Sequence, residues 1–123
     1  MKIDWSQSAQ GAGMRPGASR FSVAGERSSV TCVRTAPDAV FDGSLHKHDH
    51  EQWLVMLSGR VQLADDGSTY WVEAGDVVIF QRHTFHGALA VGEEGAEYLE
   101  IFAPVRLDQL TGFVGASPLE WKR

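Results

Sequence analysis

From residue 28 onward the chain is a succession of short apolar or alternating runs set apart by glycine-bearing turns, and that rhythm limits what it can fold into. "SSVTCVRT" (28–35) alternates with the period of two that a strand with two faces requires, and its Val and Thr suit a pleated surface. "WLVML" (53–57) is a continuous apolar run ahead of Gly59, and "RVQLA" (60–64) alternates again, with Val61 and Leu63 on one face. "DDGS" (65–68) contains the Asp-Gly pair that favours primed hairpin turns. "TYWVEAG", ending at Gly75, "DVVIF" (76–80) and "FHGALAV" (85–91) read as further strands. The turn "GEEG" (92–95) then leads into "AEYLEIFAPV" (96–105). Seven or more short strands at even spacing predict an all-β sandwich or barrel.

A length of 123 residues predicts one domain, 1–123, able to bury a core without disulfide staples. Residues 1–20 are rich in Gly, Ser and Ala and carry no period, which predicts a mobile tail or an arm along a sheet edge. The barrel spans about 21–106, and the segment 107–123 holds one helical turn near Leu107–Leu110. The net charge of -5 is mixed through the chain, with no Lys/Arg run and no nucleic-acid motif, so no nucleic-acid partner is expected. No apolar stretch approaches a membrane span and the N-terminus has no apolar signal region, so the expected location is cytoplasmic. The single cysteine, Cys32, excludes an internal disulfide framework and reads as a small buried hydrophobe, not a nucleophile.

All five histidines fall in two short segments. In "LHKHDHEQW" (45–53), His46 and His48 share a face at i and i+2, roughly 7 Å apart along a strand, so both imidazoles can lean onto one ion. Gln52 keeps the same parity but would lie roughly 20 Å from His46 on a straight strand. Either it is no ligand, or the chain turns at the polar "DHE" and Gln52 opens the next strand pointing back; the turn is the preferred reading. His86 opens a later apolar strand beside Gly87, from where a barrel can bring it across. The alternative is surface histidines beside a turn. The paired spacing favours a metal.

These segments resemble the two motifs of the cupins. The first is matched by His46, His48, Gln52 and Gly59, with Gly43 upstream. The second is matched by Gly75, Asp76 and His86. The resemblance covers about residues 28 to 106 and implies an antiparallel double-stranded β-helix, or jelly-roll barrel. It also implies that His46, His48, Gln52 and His86 are the metal ligands, and that His50 lies outside the ligand set. Gln81 stands where the family usually has Pro, His83 where it has Gly, and Gln52 where it often has an acid. Glu51 has the wrong parity to replace Gln52, and His83 is at best a pocket residue. Three neutral imidazoles and an amide leave a divalent ion's charge uncompensated, which suits polarising a substrate oxygen. Such a set accepts zinc, nickel, iron, manganese or copper.

Glu100 sits mid-strand in "EYLEIFAPVRLD", on one face with Tyr98 and Phe102. If that face lines the barrel, the carboxylate is an acid–base candidate, and Arg106 is its partner or a clamp for a substrate carboxylate. Otherwise the two are a solvent-facing Glu and a surface Arg. The spacing Glu100, Phe102, Pro104, Arg106 resembles the ending of small cupins of pectin degradation, with Glu where those carry Asp. That resemblance implies catalytic roles for Glu100 and Arg106, an anionic small-molecule substrate, a homodimer, and an enzyme that opens and linearises 4,5-unsaturated uronates. A metal-dependent dioxygenase or lyase on another small molecule, and a non-catalytic sensing module, are the other classes the scaffold allows.

Overall fold

The computed structural model describes residues 1–8, 10–11 and 15–123. Among the described residues eight strands follow one another: β1 (Ala18–Ala24), β2 (Ser29–Thr35), β3 (His46–Lys47), β4 (Glu51–Asp65), β5 (Ser68–Glu73), β6 (Val77–Phe80), β7 (His86–Ala103) and β8 (Glu120–Trp121). Every pairing is antiparallel. Single 3-10 turns at Trp5–Gln7 and Leu107–Gln109 complete the regular structure, and the second falls where one helical turn is expected.

The long strands β4 and β7 belong to both halves of the molecule. The first half of β4 lies between β6 and the second half of β7, which continues to β2 and β1. The second half of β4 lies between β5 and the first half of β7, which continues to β3 and β8. The sheet therefore folds over on itself as a jelly roll, the double-stranded β-helix expected from sequence. The fold line runs through Gly59 (φ +69°) and Gly95 (φ +76°), where the ladder steps from Gly59↔Ala96 to Val61↔Val91. A Cβ at Gly59 would overlap the Gly95 carbonyl, so only glycine permits this close crossing.

Three strand readings need correction. "WLVML" and "RVQLA" are one strand, bent at Gly59. "GEEG" is no hairpin turn but a bulge inside β7, because the strands on either side pair with the same neighbour, β4. The first strand begins at Ala18, inside the stretch read as tail. The Asp-Gly hairpin does form, with Asp66 and Gly67 both at positive φ between Asp65 and Ser68.

Between the two halves lies a core built on Val33, Leu54, Met56, Val61, Leu63, Val72, Phe80 and Tyr98. Their parity on each strand leaves one face inward, so hydrophobic burial selects the register. Cys32 is buried as a small hydrophobe. No helix among the described residues is long and apolar enough to cross a membrane.

Candidate active site

One end of the barrel holds three imidazoles side by side. His46 on β3 is paired in register with His86 at the start of β7, so the ladder brings the two histidine segments together. Ring centroids are 4.8 Å apart for His46 and His86, 5.1 Å for His48 and His86, and 5.7 Å for His46 and His48. One nitrogen of each lies within 4.8 Å of the others. Phe80 stacks on His86 at 4.4 Å and fixes its plane. The chain bends at Asp49 and His50 and re-enters as β4, so the buried Gln52 faces back at the imidazoles. Its Oε1 is 3.1 Å from Nε2 of both His48 and His86.

The protonation pattern tells what this arrangement accepts. His86 Nδ1 lies 2.9 Å from the Thr84 carbonyl, which can only accept, so Nδ1 carries the hydrogen. Burial makes His86 a weaker base than usual, and holds His46 and His48 down to about 3, so all three rings are neutral at neutral pH. The lone pair on His86 Nε2 then faces the lone pairs of the Gln52 oxygen. Such atoms repel unless a cation lies among them. His48 Nδ1 is also buried without a hydrogen-bond partner among the described residues. Three imidazoles and an amide oxygen suit a divalent transition metal, which His46, His48 and His86 are positioned to bind.

The other histidines stand apart. His50 turns from the cluster, edge-on to His48 at 5.0 Å and to Phe102 at 6.2 Å. Glu51 is on the outer face, accepting a hydrogen bond from Trp53 Nε1 at 2.9 Å. His83 is not a pocket residue: it is half-exposed, with its ring 3.4 Å from Asp49. It keeps the left-handed backbone (φ +57°) of the glycine usual there, and its N–H donates to the His48 carbonyl at 3.0 Å, bracing the ligand strand.

Beside the imidazoles opens a cavity of about 300 Å³, within the size range of small-molecule sites. His46, Gln52 and His86 line it together with Glu100 and Arg106, so the sequence-predicted site residues other than His48 meet in one space. Glu100 points inward with Tyr98 and Phe102 and accepts a hydrogen bond from Gln52 Nε2. Burial raises its pKa, against the pull of Arg106, Arg20 and Arg15. Arg106 is buried; its Nε and Nη2 donate to the two oxygens of Asp108 at 3.1 and 3.3 Å, and its backbone N–H donates to Ser29 Oγ at 3.0 Å.

Sequence reasoning missed further residues of the wall, among them Arg15, Arg20, Gln109 and Trp121. Arg20 had a signal, since alternation in "ASRFSVA" puts it on one face with Ser22, but the residues up to 20 were assigned to a tail. Trp121 had none. It reaches the site only because β8 pairs with β3 (His46↔Trp121), which sets its ring 5.3 Å from His46, edge-on.

The cupin domain profile matches residues 33–102, more than half of the chain, and the chain belongs to the cupin family. An RmlC-like cupin from Shewanella frigidimarina has the same fold, with a TM-score of 0.72 and 22% identity over 86% of this chain and 92% of that one. KdgF from Halomonas sp. superposes with a TM-score of 0.66 and 23% identity, over 80% of this chain and 88% of that one. Oxalate decarboxylase from Bacillus subtilis, a protein with Mn(II) centres, gives a TM-score of 0.65 and 23% identity, over 83% of this chain and 28% of that one. A curated relative, the mannose-1-phosphate guanylyltransferase RfbM of Salmonella typhimurium, is 27% identical over 97 residues; the chain spans 20% of its length. These structural likenesses carry the fold.

Proposed function

We propose that this cupin is a metal-dependent enzyme that opens and linearises 4,5-unsaturated uronates, with His46, His48, Gln52 and His86 as metal ligands, Glu100 as acid–base and Arg106 beside the substrate's carboxylate. One observation carries the reading: a half-buried carboxylate ringed by guanidinium groups shares one cavity with the three-imidazole cluster. When bound, a divalent ion supplies Lewis acidity toward a substrate oxygen.

The chain's own residues do the rest. Opening the hemiacetal removes the proton of the anomeric hydroxyl and breaks the bond to the ring oxygen, which leaves as an enolate. The enolate becomes a ketone when a proton reaches its neighbouring carbon. Nothing is added or lost overall, so one residue can take the first proton and deliver the second. Glu100 suits that task because burial holds its pKa above the usual carboxylate value while three arginines keep ionisation within reach. Leu54, Leu63 and Phe80 exclude water from the far wall. Trp121 at the rim offers an indole face to a sugar ring.

The test is the absorbance decay of a 4,5-unsaturated uronate with purified protein, before and after chelation. Acceleration that chelator abolishes and metal restores supports the assignment. A metal-loaded sample without acceleration removes this substrate and leaves the metal site standing.

A further inference from the structure

We infer that Arg20, with Arg15 beyond it, forms the carboxylate-holding end of the cavity and sets its preference for acids over neutral ligands. The inference rests on reading the cavity as a small organic-acid site. Arg106, the arginine that sequence spacing singles out, already spends one edge of its guanidinium on Asp108, through Nε at 3.1 Å and Nη2 at 3.3 Å. Its plane is further held over the Phe102 ring at 5.0 Å. The Nη1–Nη2 edge remains, so Arg106 can stand beside a ligand carboxylate while anchored on Asp108.

Arg20 is differently placed. It lies in the middle of β1 opposite Val33, whose side chain is in the core, so its own side chain enters the barrel. Two segments distant in sequence meet at its stem. Gly11 donates its N–H to the Arg20 carbonyl at 2.8 Å. A Cβ on Gly11 would stand 3.2 Å from Arg20 Cγ, 3.3 Å from its Nε and 3.2 Å from the carbonyl of Gln109. The bare glycine thus lets the N-terminal arm and the Leu107–Gln109 turn close on the arginine and steer it to the cavity wall. Arg15 is held over the Phe41 ring at 4.5 Å and lines the same wall.

Formal charges point the same way. The wall carries Arg15, Arg20 and Arg106 against Glu100, and Asp108 offsets Arg106. In formal charge, three guanidinium groups thus face two carboxylates before any cation joins the imidazoles. A positive excess in a half-buried cavity is costly alone and favours an anionic ligand. The matching class is a small organic acid.

The experiment is calorimetric titration of zinc-loaded protein with galacturonate, its neutral twin galactose, and succinate. The wild type should bind at least one acid at millimolar concentration, and galacturonate at least about tenfold more tightly than galactose if it is the acid bound. Arg20→Gln should erase that preference, or the succinate binding, with zinc content and thermal unfolding unchanged. Arg20→Lys should keep part of it. Gly11→Val, which leaves every cavity side chain intact, should weaken acid binding by displacing Arg20. Succinate binding that depends on Arg20 without galacturonate binding keeps the inference and removes the uronate reading. Equal binding of acid and neutral sugar, full acid binding by Arg20→Gln, or no acid bound at all overturns the inference.

Discussion

The amide of Gln52 faces two ways: its oxygen is 3.1 Å from the imidazole nitrogens of His48 and His86, and its nitrogen donates to the carboxylate of Glu100. One side chain thus couples the candidate metal ligands to the candidate proton carrier. The Glu100 carboxylate accepts only from the NH₂ side and so fixes which way the amide points. Replacing Glu100 with Gln removes the proton carrier and leaves the imidazoles untouched. Turnover of an unsaturated uronate should fall by about a hundredfold or more, with bound metal near the wild-type level. Parallel rate and metal analysis checks both halves.

The three clustered histidines differ sharply from His50, the third histidine of the 45–53 run. His46→Ala, His48→Ala and His86→Ala should each take bound zinc well below stoichiometric, because each removes one of the three converging nitrogens. His50→Ala should retain zinc, since His50 lies outside that group. Metal analysis after dialysis against buffer distinguishes the two cases. Zinc lost equally from all four variants would dissolve the assignment.

Acid should loosen the metal-free protein. His46 and His48 are held down from 6.5 to about 3, chiefly by burial, so below pH 6.5 the unfolded chain binds protons that the folded chain refuses. Their contribution is whole above pH 6.5 and is lost as pH falls toward 3. Glu100 works in the opposite sense above its ordinary value of 4.5, where the folded chain takes up its proton first, and so offsets part of the decline. Thermal midpoints of chelated protein should be flat above pH 6.5 and drop below it. His48→Asn should flatten the drop.

The crossing of β4 and β7 at Gly59 should tolerate no side chain. Gly59 has φ +69° and faces the Gly95 carbonyl where a Cβ would stand. Gly59→Ala should cost about 3 kcal/mol or more, from backbone strain plus the forced separation of the strands. Urea unfolding measures the loss. Gly67→Ala, at a hairpin tip with open space around it, should cost about 1 kcal/mol.

Much of the molecule follows from local patterns. Period-two alternation and the Asp-Gly turn define strands whose inward faces are fixed by burial, and β2 and the Asp65–Ser68 hairpin form where those patterns place them. His46, His48 and Gln52 are legible for the same reason: strand parity and a polar turn are short-range properties. What local pattern cannot convey is how elements distant in sequence meet. The bent strands β4 and β7 read as separate pieces, since a glycine bend resembles a turn until the partner strand is known. Arg20 and Trp121 join the cavity only because the N-terminal strand and the last residues add to opposite ends of the rolled sheet. The sequence alone determined most strand segments, their faces and the shared parity of His46, His48 and Gln52. Only the closure of the barrel, a long-range outcome of burying both inner faces at once, decided which arginines and which tryptophan face the imidazoles.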